Sequence, residues 1–142
     1  MQLDELYQEL IIDHGTQPRN CCKLENASNT AEGFNPLCGD KVQIYLNIEN
    51  GVIKNATFTG SGCAISTASA SLMTEALMNK TLVEIAELSA CFKALLTSEF
   101  EADNHHVNLG KLAAFSGVKV FPARVKCATL AWHTLEAAME TL

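Results

Sequence analysis

The stretch Thr59-Gly60-Ser61-Gly62-Cys63-Ala64-Ile65-Ser66 limits what this chain can fold into more than any other. A strand-like run precedes it and a helix-like run follows, with two glycines between them to turn the backbone. Cys63 is therefore expected at or near a helix N-terminus. Unpaired backbone N–H groups and the helix dipole favour an anion there and lower a thiol pKa. A small buried cysteine in a tight turn is the plainer alternative, since free cysteines are among the most buried residues.

The residues leading into this junction alternate. Val42, Ile44, Leu46 and Ile48 fall on one face and Lys41, Gln43, Tyr45 and Asn47 on the other, the pattern of a half-buried strand. Glu49-Asn50-Gly51 is a hairpin turn signal, and Val52 to Thr59 is the returning strand. Hydrophobic matching favours a three-residue loop that sets Ile44 against Ala56 and Val42 against Phe58, with Lys54 on the apolar side near the turn. That register places Cys38 opposite Gly62 and Asp40 opposite Gly60. Cys38 and Asp40, two apart in an extended backbone, share a side, so Cys38, Asp40 and Cys63 are expected to converge at one end of the hairpin.

Charge and cysteine content narrow the chemistry. With 16 acidic against 10 basic residues, net −6, the chain is a poor match for nucleic acid. No apolar run approaches a membrane span. The start, Met1-Gln2-Leu3-Asp4-Glu5, lacks the basic region and apolar core of a signal peptide, so cytoplasmic residence with reduced thiols is expected. At 142 residues the chain fits one domain, 1–142, that needs no disulfides. Its six cysteines then point to metal or sulfur chemistry more than to crosslinks.

The remaining segments frame the junction. Leu3, Leu6, Tyr7, Leu10 and Ile11 have helical spacing, ending near His14-Gly15. Residues 18–34 read as loop with one short edge strand around Thr30–Gly33, and the vicinal pair Cys21-Cys22 lies in it. With no third or fourth ligand nearby, those are expected to be exposed bystander thiols rather than a metal site. After Cys63 a helix runs to about Asn79. Thr81 and Glu84 form a capping box for a second helix through Leu88, and Cys91, Phe92, Leu95 and Leu96 suggest a third, with Cys91 in the core. His105-His106 is read as polar loop, with metal ligation the alternative. A short helix around Leu109–Phe115 precedes a closing helix that starts at Pro122, a residue suited to the first helical position. In that helix Cys127, Ala131, Leu135, Ala138 and Leu142 form one stripe, so Cys127 is readable as core. Arg124 and Lys126 beside it argue for a thiolate instead.

Three motifs together, Asn35-Pro36-x-Cys38-Gly39-Asp40, Gly60-x-Gly62-Cys63-x-Ile65-Ser66 and Lys126-Cys127, resemble in order the U-type iron–sulfur assembly family, the IscU and NifU N-terminal domain proteins. The resemblance spans nearly the whole chain. It implies an α+β fold, a small antiparallel sheet of about three strands with helices packed on it, in agreement with the periodicity. It further implies that Cys38, Cys63 and Cys127 are sulfur ligands, with Asp40 the adjacent carboxylate. In the scaffold branch a histidine precedes the third cysteine; here that position is Lys126. The 64 positions from Cys63 to Cys127 also exceed that branch's spacing. Both departures resemble the SufU branch, whose members bind zinc and accept persulfide sulfur from a pyridoxal-phosphate cysteine desulfurase.

The donor set supports exchange chemistry. Thiolates select zinc or iron–sulfur species over magnesium or calcium, and a purely structural site is better closed by four Cys or His ligands than by a hard carboxylate. Three thiolates and a carboxylate leave a net negative charge around zinc that Arg124 and Lys126 are placed to offset. Three classes stay open: a zinc-containing sulfurtransferase-like acceptor, favoured; a scaffold that assembles a [2Fe-2S] cluster and hands it to apo-proteins; and a module with structural zinc. For an acceptor, Cys38 is the expected sulfur carrier, because it alone lies in a loop. Its partners would be a SufS-like desulfurase and a downstream iron–sulfur scaffold or apo-protein.

Overall fold

The computed structural model describes residues 3–97 and 109–140. Helix α1 (Leu3–Thr16) is followed by strands β1 (Asn29–Asn35), β2 (Asp40–Glu49) and β3 (Val52–Ser61). Then come α2 (Ala64–Leu77), α3 (Leu82–Leu96), a 3₁₀-helical segment (Gly110–Val120) and α4 (Pro122–Glu140). The strands form one antiparallel sheet in the order β1-β2-β3. The architecture is α+β, as the alternation and the resemblance imply.

The hairpin is real, but its register is not the expected one. Asn50 (φ 54) and Gly51 (φ 75) both take left-handed conformations. That suits a tight two-residue turn, which matches the twist of the flanking strands. A bulge follows at once: Asn47 pairs with Asn55 but Ile48 with Ile53, leaving Lys54 as the extra residue. The bulge turns Lys54 out to solvent and Ile53 fully inward, correcting the expectation that Lys54 faces the apolar side. Beyond the bulge Ile44 opposes Phe58 and Val42 opposes Gly60. The shift is by two residues, so beyond the bulge each side chain keeps its expected face although it has a different partner.

The inner face of the sheet carries Val42, Ile44, Leu46, Ile53, Ala56 and Phe58, all buried against the helices. Trp132 on α4 stacks on Phe92 of α3 (centroids 4.6 Å, 21°), and Phe92 meets Phe115 edge-on at 5.6 Å. Each such side chain contributes about 1.5–3 kcal/mol by leaving water. Helix α3 starts at the Thr81/Glu84 capping box and runs unbroken to Leu96, so the expected second and third helices are one. No glycine, proline or cap between Leu88 and Cys91 gives it reason to stop. Cys91 is buried in the core.

Loops cover the free edge of β3. Phe58 N–H donates to the Asn20 carbonyl, Ile53 N–H to that of Lys80 and Asn79 N–H to that of Ile53, which satisfies backbone groups an open edge would leave exposed. Helix α1 is tied to α2 through His14, whose Nδ1 lies 2.7 Å from Ser71 Oγ in a buried contact. Among the described residues, no helix is long and apolar enough to cross a membrane.

Candidate metal centre

The two glycines at the β3–α2 junction act differently from one another. Gly60 sits within β3, where a Cβ would run into the Lys41 carbonyl, and the strand continues to Ser61. Gly62 makes the junction: a Cβ there would collide with the carboxylate of Asp40. Asp40, at the first position of β2, is therefore the residue that meets Gly62. The expectation that Cys38 faces Gly62 and Asp40 faces Gly60 is corrected by the tighter turn at the far end of the hairpin.

Asp40 is completely buried, and its Oδ1 accepts the backbone N–H of Cys63 at 2.9 Å. Cys63 is the N-cap of α2, its Sγ accepting the Ser66 N–H at 3.4 Å. This ties the strand start to the helix start through a charge-assisted hydrogen bond. The other oxygen, Oδ2, is buried with no hydrogen-bond partner among the described residues. A buried carboxylate oxygen left unpaired costs free energy unless a proton, water or cation meets it.

Cys38 approaches from a loop that Asn35 shapes. The Asn35 carbonyl accepts the N–H of Gly39 at 2.8 Å and its side-chain Oδ1 the N–H of Leu37 at 3.2 Å. Gly39 closes the turn at φ 71, a conformation strained for other residues. Cys38 is exposed. Its Sγ nevertheless lies 3.4 Å from that of Cys127, which is buried on α4.

The ligand atoms of Cys38, Asp40 and Cys127 all lie within 4.8 Å of one another. Cys63 adjoins this group through its backbone bond to Asp40, with its thiol turned toward Ser66. Three of the four expected residues are thus gathered and the fourth is next to them. Burial pushes the Cys127 thiol far above its ordinary range, helped by Asp40, Cys38 and Cys63 around it. In the metal-free chain burial comes first among the causes of this shift, ahead of any help from Arg124 and Lys126 toward a thiolate. The gathered donors, two sulfurs and one hard oxygen with Cys63 adjoining, suit zinc or iron, and the orphaned Oδ2 supplies an unfilled acceptor.

The Arg124 guanidinium stacks over the Phe121 ring, 4.5 Å from its centroid. Lys126 lines a cleft with Phe34, Asn35, Leu37 and His133. Cys21 and Cys22 are exposed, Cys21 bridging to β3 at Phe58; His105 and His106 fall outside the described residues. Sequence reasoning missed Asn35 as the shaper of the Cys38 loop, although Asn before Pro is a turn signal.

Residues 6–140 match the NifU-like N terminal domain family. The zinc-dependent sulfurtransferase SufU of Bacillus subtilis is 40% identical over 134 residues, covering 94% of this chain and 89% of that protein. The iron–sulfur cluster assembly scaffold protein IscU of Thermotoga maritima is 39% identical over 140 residues, 96% and 94% of the two chains. A crystal structure described as an iron–sulfur cluster assembly scaffold protein for the SUF system, from Fervidobacterium islandicum, superposes with a TM-score of 0.86 at 36% identity, covering 97% of this chain and 99% of that one. With its three motifs in order, its α+β architecture and a family match over nearly its full length, the chain belongs to the NifU-like N-terminal domain family.

Proposed function

We propose that this chain works in iron–sulfur cluster assembly as a zinc-containing acceptor of persulfide sulfur from a pyridoxal-phosphate cysteine desulfurase of the SufS kind. Cys38, Asp40, Cys63 and Cys127 are the metal ligands in this reading, Cys38 is the acceptor, and Arg124 and Lys126 offset the charge of the donor set. One observation carries it: an exposed, loop-borne thiol and a fully buried one meet at a buried carboxylate that has an unpaired oxygen. Zinc bound there would keep its thiolates deprotonated at neutral pH and shield them from oxidation.

The chemistry at Cys38 is thiol–persulfide exchange. Its thiolate attacks the outer sulfur of the desulfurase persulfide, a new S–S bond forms at Cys38, the old S–S bond breaks, and the desulfurase cysteine leaves as a thiolate. No net oxidation occurs. A downstream scaffold or apo-protein then takes the sulfur from Cys38 by the same exchange. All six cysteines are free, in keeping with work in a reducing cytoplasm.

The scaffold reading, in which a [2Fe-2S] cluster is built on these cysteines and passed on, has the similarity to Thermotoga maritima IscU behind it. Lys126 stands against it, because an ammonium cannot ligate iron. Protein purified without air separates the two. The acceptor reading expects about one zinc per chain, no iron–sulfur absorption band, and faster desulfurase turnover when the chain is added. A stoichiometric, visibly coloured cluster with no effect on the desulfurase would overturn it.

A further inference from the structure

The four residues of the centre come from separate elements, and two of them, Cys63 and Cys127, ride on helices that pack side by side. Helices α2 and α4 bury many small side chains, among them Ala68, Ala70, Ala128 and Ala131. Contact between such residues is non-directional and leaves one helix free to slide along the other. A slip of one turn would move Cys127 by about 5.4 Å, far outside the tolerance of a metal–sulfur bond, so something directional has to fix the axial position.

Ser69 is placed to do this. It is fully buried on α2, its Oγ donates to the Ala128 carbonyl at 2.6 Å, and it accepts the Trp132 Nε1–H at 3.2 Å. Ala128 and Trp132 lie four residues apart on α4, so one hydroxyl spans a full helical turn and grips it at both ends. Its two bonds run in opposite senses, one donated and one accepted, and a hydroxyl has a single proton to give. Sliding α4 either way breaks both. Ala128 follows Cys127 directly, so the grip falls on the backbone beside the ligand.

We infer that Ser69 is a positioning residue for the metal centre, setting the register of Cys127 against Cys63 through the Ala128 carbonyl. The inference rests on the reading of these cysteines as ligands of one metal ion. The hydrogen bonds of Ser69 go to Ala128 and Trp132 and not to a ligand side chain, and its effect is on where Cys127 sits.

Two variants separate positioning from general stability. Ser69→Ala removes both bonds, whereas Trp132→Phe removes only the indole bond and keeps the grip on Ala128. Ser69→Ala leaves the buried Trp132 N–H unpaired and Trp132→Phe removes core volume, so both should lower the unfolding midpoint of the metal-free protein. Zinc affinity, measured by competition with a chromogenic chelator, should fall about tenfold in Ser69→Ala, the scale of lost outer support around a metal. It should hold in Trp132→Phe. Unchanged zinc affinity in Ser69→Ala, equal loss in both variants, or a Ser69→Ala chain that does not fold would each overturn the inference. Wild-type protein that binds no zinc would instead refute the metal-centre reading on which it stands.

Discussion

Cys38 and Cys127 bring their sulfurs to 3.4 Å of each other yet are held in opposite ways. Cys127 is 3% exposed, within a 19-residue helix whose neighbouring turn is gripped by Ser69. Cys38 is exposed, in a four-residue connection between strands that Asn35 braces only at its base. Moving Cys127 means shifting a core helix that carries Trp132; moving Cys38 means rotating a few loop dihedrals. Local opening of the second kind is low in free energy. In the proposed function, this donor set would have a fixed half that keeps the site together and a looser half that carries sulfur away.

The largest expected effect comes from removing the looser half. Cys38→Ser should abolish stimulation of desulfurase turnover while leaving the circular dichroism spectrum and unfolding midpoint close to wild type. A Cys38→Ser variant that still accelerates the desulfurase would break the contrast.

Next comes the wall behind the fixed half. Gly62→Ala drives a Cβ into Asp40 and should cost about 1–3 kcal/mol by overpacking, together with most of the zinc affinity. Gly33→Ala, which meets Thr134 away from the thiols, is the control: chemical denaturation should show a similar loss of stability, with zinc binding retained.

A smaller change is expected from Lys126→His. An imidazole next to Cys127 adds an iron ligand, so anaerobic reconstitution should yield a few-fold more bound cluster than wild type gives. Equal cluster retention in the two proteins would show that the donor set alone does not divide acceptor from scaffold.

The smallest effect tests α1, away from the sulfurs. Burial lowers the pKa of His14, aided by Arg19 and partly opposed by Glu75 and Asp13, with Lys111 adding slightly to the lowering. The unfolded chain therefore binds a proton more readily than the folded one. His14 contributes its full stability above the ordinary histidine pKa of about 6.5, and that contribution falls as pH drops through and below it. Denaturation midpoints taken between neutral and mildly acidic pH should decline less in His14→Gln than in wild type.

Much of this was legible from residues alone, for identifiable reasons. Strand alternation fixes which face each side chain takes, so the inner face of β2, and of β3 beyond the bulge, was right even with the register off by two. The register depended on Asn50 adopting a left-handed conformation and on the bulge at Lys54, neither of which alternation encodes. Strand pairing brought Cys38 and Asp40 toward Cys63, whereas the place of Cys127 beside Cys38 and Asp40 came only from the family resemblance, because its helix lies far along the chain. The Ser69 grip was not legible, because a serine in a run of Ser and Ala gains its role only when Trp132 and Ala128 arrive from more than fifty residues away.

The looser half makes one direct demand, namely where the sulfur is found. After incubation with a cysteine desulfurase and cysteine, alkylation and peptide mass spectrometry should locate the extra mass of one sulfur atom on the peptide containing Cys38. The Cys63 and Cys127 peptides should be unmodified. Sulfur found chiefly on Cys127, the residue least able to move, would contradict the account.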